Sequence, residues 1–175
     1  NDTWTFAPAD NFNGSTDLSY DVSDGTLSDA VQTTITVAAV PDAPVADDSV
    51  AFSMAEDGSL TITEEQLLGS SSDVDAGDTL HVNNLQAVDG GTLTLVDTAA
   101  PVGARTWTYD PAANFNGNAD LTYSVSDGTA SDDTLASITV SSVNDPATFE
   151  GASSDAVTED AAQTASGDLN VTDVD

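Results

Sequence analysis

A two-residue alternation of apolar and polar positions runs through the middle of the chain. It is clear in SVAFSM (49–54), SLTIT (59–63), TLHVNNLQAV (79–88), GTLTLV (91–96), TWTYD (106–110), DLTYSV (120–125) and TLASITVSSV (134–143). Successive side chains of an extended strand point to opposite faces, so each stretch reads as a strand with one buried face. Turn residues punctuate them: Asp57-Gly58, Asp89-Gly90-Gly91, Asn116-Gly117 and Asp127-Gly128. Only TEEQLL (63–68) has a helical pattern, with Thr63 and Gln66 spaced as a capping box, and it is one or two turns long. Seven short strands in about 100 residues predict an all-β fold, an antiparallel β-sandwich. In DLTYSVSDG the inward set is Leu121, Tyr123 and Val125, joined in the core by Trp107 and Phe115. Tyr123, near the start of a late strand, fits a tyrosine corner, and Tyr20 repeats it.

The same pattern recurs. NFNGSTDLSYDVSDGT from Asn11 returns as NFNGNADLTYSVSDGT from Asn114, and one offset of 103 residues carries Trp4 to Trp107, Phe12 to Phe115, Tyr20 to Tyr123, Asp24 to Asp127 and Asp42 to Asp145. Beyond the linker, AEDG at Ala55 meets TEDA at Thr158, so Glu56 and Asp57 map to Glu159 and Asp160. SDVDAGD at Ser72 meets TDVD at Thr172 after a three-residue deletion. A gapless offset over forty residues is the signature of tandem modules. The expected layout is the C-terminal half of one β-sandwich repeat (1–40), a complete repeat (41–145) and the N-terminal portion of a third (146–175). The two end pieces are expected to need neighbours to complete their cores. Duplication also argues against a catalytic centre, since chemistry needs one well-built site.

Charge narrows the function. One Lys or Arg against 31 acids gives a net charge of −30, and 26 of those acids are Asp. With Arg105 as the single cation there is no basic face for nucleic acid or anionic lipid, and no apolar run long enough to insert in a membrane. Cys is absent, so disulfides do not hold the modules together. A bias to Asp over Glu favours turns and loop-borne oxygen ligands. His81 has no counterpart in either end piece, and no second His, Cys or G-x-S-x-G elbow is present to build a triad. Paired carboxylates formally permit glycosidase-like chemistry, but nothing singles out one pair, and the expectation is a non-enzyme.

The motifs VPDAP (40–44), VNDPA (143–147), EDG (56–58), SDVDAGDTL (72–80), NFNG and YSVSDGT (123–129) together resemble the cadherin-like and immunoglobulin-like repeats of giant bacterial RTX-type adhesins, of the tandem-95 and VCBS kinds. The start of the third piece is closest to the VCBS variant. The resemblance implies an extracellular, secreted or surface-attached stalk whose partners are neighbouring repeats of the same polypeptide or identical chains, with any glycan or protein ligand bound through other domains.

Laid on a sandwich, the acids fall at two poles. Asp42, Asp73, Asp75, Asp78 and Asp127 are expected at the upper pole, and Glu56, Asp57 and Asp145 at the lower. Stacked modules would bring four or more carboxylates together at each junction. Two carboxylates about 4 Å apart repel by roughly 1 kcal/mol in bulk water and by several times that where water is partly excluded. Oxygen ligands in flexible loops suit Ca²⁺ far better than Zn²⁺ in a chain with one His and no Cys. Resemblance to cadherins implies the sets. Junction one would use Asp42, Asp73 and Asp75; junction two would use Glu56, Asp145, Asp173 and Asp175, with Glu159 repeating Glu56. DVDAGD does not have EF-hand spacing. The competing reading is that Asp in such turns merely caps backbone, and Asp127 and its equivalent Asp24 in V-S-D-G-T are the positions it fits best. The function expected is a calcium-stiffened extracellular spacer; the alternatives are a glycan- or protein-binding adhesive module and a self-assembling fibre that uses strand complementation.

Overall fold

The computed structural model describes residues 3–88, 91–151, 159–160 and 169–173. In chain order its elements are β1 (Gly14–Ser23), β2 (Ser28–Val37), β3 (Ala51–Ala55), β4 (Leu60–Thr63), α1 (Glu64–Leu68), β5 (His81–Ala87), β6 (Gly91–Leu95), β7 (Thr106–Pro111), β8 (Gly117–Ser126), β9 (Ser131–Ser141), β10 (Thr148–Gly151) and β11 (Leu169–Thr172). All seven strands read from the alternation between residues 49 and 143 are present, and the fold is all-β.

Two sheets make the sandwich: a four-stranded one in the order β3-β9-β8-β5 and a three-stranded one in the order β4-β7-β6. Every pairing is antiparallel except β3 on β9, which is parallel with Ala51 opposite Ser137. That departs from a purely antiparallel expectation: β3 joins as an edge strand far in sequence from its partner, and alternation reveals no partner. Between the sheets lie Ile62, Leu67, Val82, Trp107, Tyr109, Leu121, Tyr123, Val125, Ile138 and Val140, all buried. Backbone approach is closest at Gly91, where an added Cβ would sit 2.5 Å from the Tyr109 ring, so this strand start admits no side chain.

The helix α1 has the capping box read from its sequence: Gln66 N–H donates to Thr63 Oγ1 at 3.2 Å and Thr63 N–H to Gln66 Oε1 at 2.9 Å. Tyr123 does not make a tyrosine corner. Its hydroxyl crosses the core and donates to the Leu67 carbonyl at 2.8 Å, satisfying one of the carbonyls that the end of α1 leaves without a helical partner.

The duplication extends to pairing. Gly14 lies opposite Val37 in β1–β2 as Gly117 lies opposite Val140 in β8–β9, and every intervening pair follows at the same offset. The bridge between Val45 and Ser72 likewise has its counterpart in Thr148 opposite Thr172, the first pair of β10–β11. Core packing, expected for every Trp and Tyr, holds only in the sandwich. Trp107 is 7% exposed and Tyr123 3%, whereas Trp4 is 90% exposed and Tyr20 48%. Among the described residues no second sheet covers the β1–β2 face, and a strand pair alone cannot bury its own apolar side.

Candidate metal centre

The upper pole is built where the linker before β3 meets the loop between α1 and β5. Val45 and Ser72 exchange backbone hydrogen bonds of 2.8 and 3.0 Å, fixing the linker to the loop. Asp47 straps the same place. Its carboxylate accepts from the Ser49 hydroxyl at 2.6 Å, from Ser70 N–H at 2.8 Å and from Ser49 N–H and the Ser70 hydroxyl at 2.9 Å, and these bonds hold its pKa well below the usual carboxylate range. The sequence reading passed over Asp47, for which only the recurrence of Ser at 49 and 70 was a signal.

On this frame the loop brings Asp73, Asp75 and Asp78 together, each offering a carboxylate oxygen within 4.8 Å of the others. Asp73 Oδ1 accepts Asp75 N–H at 2.8 Å, and Asp75 Oδ2 accepts Asp42 N–H at 2.7 Å. Asp42 thus reaches the group through its backbone, while the residue itself is exposed. Asp73 Oδ2 is buried without a hydrogen-bond partner. Loss of solvent, then the charges of Asp73, Asp75 and Asp127, push the Asp78 carboxyl above its ordinary pKa. Asp78 is thus destabilised by its neighbours, and one Asp73 oxygen is unmatched. The three carboxylates fit a hard cation, since the donors are all oxygen and neither thiolate nor imidazole joins them.

Asp127 stands beside this group and not in it. Its Oδ1 accepts N–H from Thr129 and Ala130, which lowers its pKa, and Asp24 does the same for Leu27 and Thr26, both at 2.8 Å, with its pKa lowered to about 2. Both V-S-D-G-T aspartates therefore cap turns.

At the lower pole Glu56 directly follows β3. Its N–H donates to the Ser141 carbonyl at 2.9 Å and its Oε1 accepts Val143 N–H at 2.7 Å. The residue is 3% exposed and its Oε2 is buried without a hydrogen-bond partner. Asp145 lies two residues beyond Val143, half-buried, and Asp57 is exposed in the turn with φ of 61°. Glu159 is exposed, followed by Asp160 at φ 60°, the equivalent of Asp57. Asp173 is exposed, and Asp175 lies outside the described residues. Among the described residues the structure gathers one three-carboxylate group, at the upper pole. Beside it a 250 Å³ cavity is lined by Asn11, Phe12 and Asn13 of the first NFNG turn and by Val40, Asp42 and Asp75. The β1–β2 unit therefore meets the sandwich at the acidic pole.

The sole cation is elsewhere. Arg105 pairs with Glu64, which is fully buried, through Nη2 at 2.6 Å and Nε at 3.1 Å; Val82, Gly103 and Arg105 N–H also donate to Glu64 at 2.9, 2.7 and 3.2 Å. Arg105 further reaches the Val82 carbonyl and lies 5.6 Å from the Trp107 ring centroid. Burial alone would raise the Glu64 pKa. The Arg105 side chain, followed by the three backbone donors, outweighs it and brings the value below 4.5.

The family model for the cadherin-like domain matches residues 1–38 and 40–141. The chain belongs to the cadherin-like domain family. Membership fits a structural or adhesive β-domain of the extracellular space, and the acidic group of this cadherin-like chain is of the kind that holds calcium. No curated protein matches the chain. Among solved structures it is similar to the endo-fucoidan hydrolase MfFcnA4 from glycoside hydrolase family 107, at 23% identity and a TM-score of 0.41 over 78% of this chain and 20% of that one. It is also similar to surface layer protein SbsC, domains 1-6, at 15% identity and a TM-score of 0.37 over 79% of this chain and 18% of that one. The cadherin-like chain spans about a fifth of either structure. No helix among the described residues is long and apolar enough to cross a membrane.

Proposed function

We propose that this chain is a non-catalytic extracellular spacer, a run of cadherin-like repeats from a large bacterial surface adhesin or filament of the RTX kind, stiffened by Ca²⁺ where modules meet. The observation that carries the reading is the meeting of Asp73, Asp75 and Asp78 around a buried, unmatched oxygen at the pole where β1–β2 abuts the sandwich. Residues 1–40, 41–145 and 146–175 are in this reading a back half, a whole repeat and a front portion, supported by the identical register of β1–β2 and β8–β9. Asp73, Asp75 and Asp78 would hold the ion at the first junction with Asp42; Glu56 and Asp145 would hold one at the second with Asp173 and Asp175, and Glu159, the repeat of Glu56, would serve the next. The ion supplies positive charge where the protein has none. Bound, it ties the linker to the loop; withdrawn, like charges let the hinge bend.

The test is a calcium titration from EDTA, following Tm and radius of gyration. Sites of about 10⁻⁴ to 10⁻³ M would raise stability by roughly 1.4–2.7 kcal/mol at about 10 mM Ca²⁺, with the particle elongating as the ion binds. Asp73→Asn with Asp75→Asn should abolish most of both responses. A wild-type chain whose Tm and radius ignore Ca²⁺ would refute the reading. A fibre joined by strand complementation is the second reading, favoured by the exposed Trp4, Phe6, Leu18 and Tyr20, which line a 560 Å³ hollow on the β1–β2 hairpin. Sedimentation that does not depend on concentration excludes it.

A further inference from the structure

We infer that the buried Glu64–Arg105 pair selects which back half a front half folds with, and so guards the repeats against exchanging partners. The hazard follows from the duplication. The front of the sandwich, β3 to β6, is flanked in sequence by two back halves that share one pattern, one containing β1–β2 and the other β7 to β9. Their hairpins have one register, and five large inward residues correspond: Trp4 with Trp107, Leu18 with Leu121, Tyr20 with Tyr123, Val22 with Val125 and Ile35 with Ile138. Among the described residues nothing covers the apolar face of β1–β2, so by shape and hydrophobicity it would accept the same front half, from its own chain or from a second copy. Misassembly of this kind is a characteristic failure of tandem repeats.

Buried Ala119, Ala136 and Ser124 are replaced by Thr16, Thr33 and Asp21 in the other back half, but the difference that faces Glu64 is a reversal of charge. At the shared offset of 103 residues, the position equivalent to Arg105 is Asp2. Glu64 is fully buried in the front half and accepts hydrogen bonds from the Arg105 guanidinium. Docked on the other back half, Glu64 would lose that cation and face a carboxylate in its place. Repulsion against the wrong partner is how a specific pairing is enforced when attraction alone is shared. A buried ion pair contributes little net stability against an apolar replacement, and selection gives it a role that stability does not.

Cross-linking reads the choice directly, because the chain has no Cys. Thr61 of β4 lies opposite Thr108 of β7, and the equivalent of Thr108 is Thr5. In the full chain carrying Thr61→Cys, Thr108→Cys and Thr5→Cys, oxidised in EDTA so that calcium plays no part, mass spectrometry counts 61–108 against 61–5 links, within and between chains. With native charges 61–108 should dominate by at least about ten-fold. Exchanging the charges with Asp2→Arg and Arg105→Asp should raise the 61–5 fraction at least about ten-fold, and neutralising the pair with Glu64→Gln and Arg105→Met should move the ratio part of the way. An unchanged ratio in a folded charge-exchanged chain overturns the inference. Should that chain not fold, the neutral pair decides alone: full native selectivity without either charge overturns the inference, and a relaxed ratio supports it.

Discussion

Replacing Arg105 with Met isolates what the only cation does for stability. The substitution keeps much of the apolar stem and removes the guanidinium from Glu64, which stays at 0% exposure with the N–H groups of Val82, Gly103 and residue 105. Breaking a buried pair on one side costs about 3–5 kcal/mol. Retained backbone donors still favour the carboxylate and reduce that figure, while losing the cation over Trp107 adds about 0.5–1 kcal/mol. The sum is roughly 3 kcal/mol, or a Tm lower by about 12–24 °C for a unit of about 100 residues.

The assay is thermal unfolding of wild type and variant at pH 7 and at descending pH. In the wild type the Glu64 pKa is below its unfolded value of 4.5, so its contribution is present above that value and lost as pH falls through the folded pKa. Without Arg105, burial dominates and the folded pKa rises, so the variant pays its penalty at high pH and is relieved as Glu64 takes a proton. The gap between the two proteins should therefore close below about pH 4. Half-molar salt should leave it largely open, because the pair is shielded from solvent. A gap under about 3 °C at pH 7, or one that does not narrow with acid, would refute the argument.

Three further outcomes follow from named contacts. Gly91→Ala should cost about 1–3 kcal/mol by denaturant titration, because its Cβ would lie 2.5 Å from the Tyr109 ring and strand pairing resists any shift. Tyr123→Phe should cost about 1–2 kcal/mol by leaving the Leu67 carbonyl without its donor, whereas Tyr20→Phe, at an exposed equivalent position, should stay within about 0.5 kcal/mol. Asp24→Ala should speed amide exchange at Thr26 and Leu27. In the parent protein the same protection should be present above the ordinary value of 3.8 and fade as pH falls through about 2, followed by NMR titration.

What the sequence disclosed, and what it hid, divides by the range of the interaction. Strand positions were legible because a buried face imposes alternation locally, and the capping box because Thr63 and Gln66 are three residues apart. The acidic group was legible because Asp73, Asp75 and Asp78 share one loop. Hidden were contacts between distant segments: β3 lying parallel on β9, Tyr123 reaching Leu67, and Arg105 meeting Glu64 across 41 residues. No periodicity records them. Nor does a repeat in the sequence reveal whether an aromatic is covered, which is why Trp4 and Trp107 match in sequence and differ in exposure. Asp127 was ambiguous for another reason. D-G turn chemistry and metal ligation ask for the same residue, and its hydrogen bonds to Thr129 and Ala130 display the first.

Burial decides which carboxylate receives the protein's one positive side chain. Asp78 is exposed and can borrow counter-ions from solution, so a fixed cation there would gain little. Glu64 cannot borrow, and Arg105 stands beside it. Glu56 is the case that tests the rule. At 3% exposure it is nearly as buried as Glu64, yet Val143 N–H engages one oxygen, the other has no hydrogen-bond partner, and Arg105 is already committed. Under the proposed function its counter-charge is an exchangeable ion, which lets the lower pole respond to calcium in a way that a covalently attached cation would forbid. Glu56→Gln should then raise Tm in EDTA, by removing a buried charge that has no counter-ion, and reduce the gain in Tm on adding Ca²⁺. A variant that loses stability equally with and without the ion would show Glu56 to be only a clasp for the strand that follows β9.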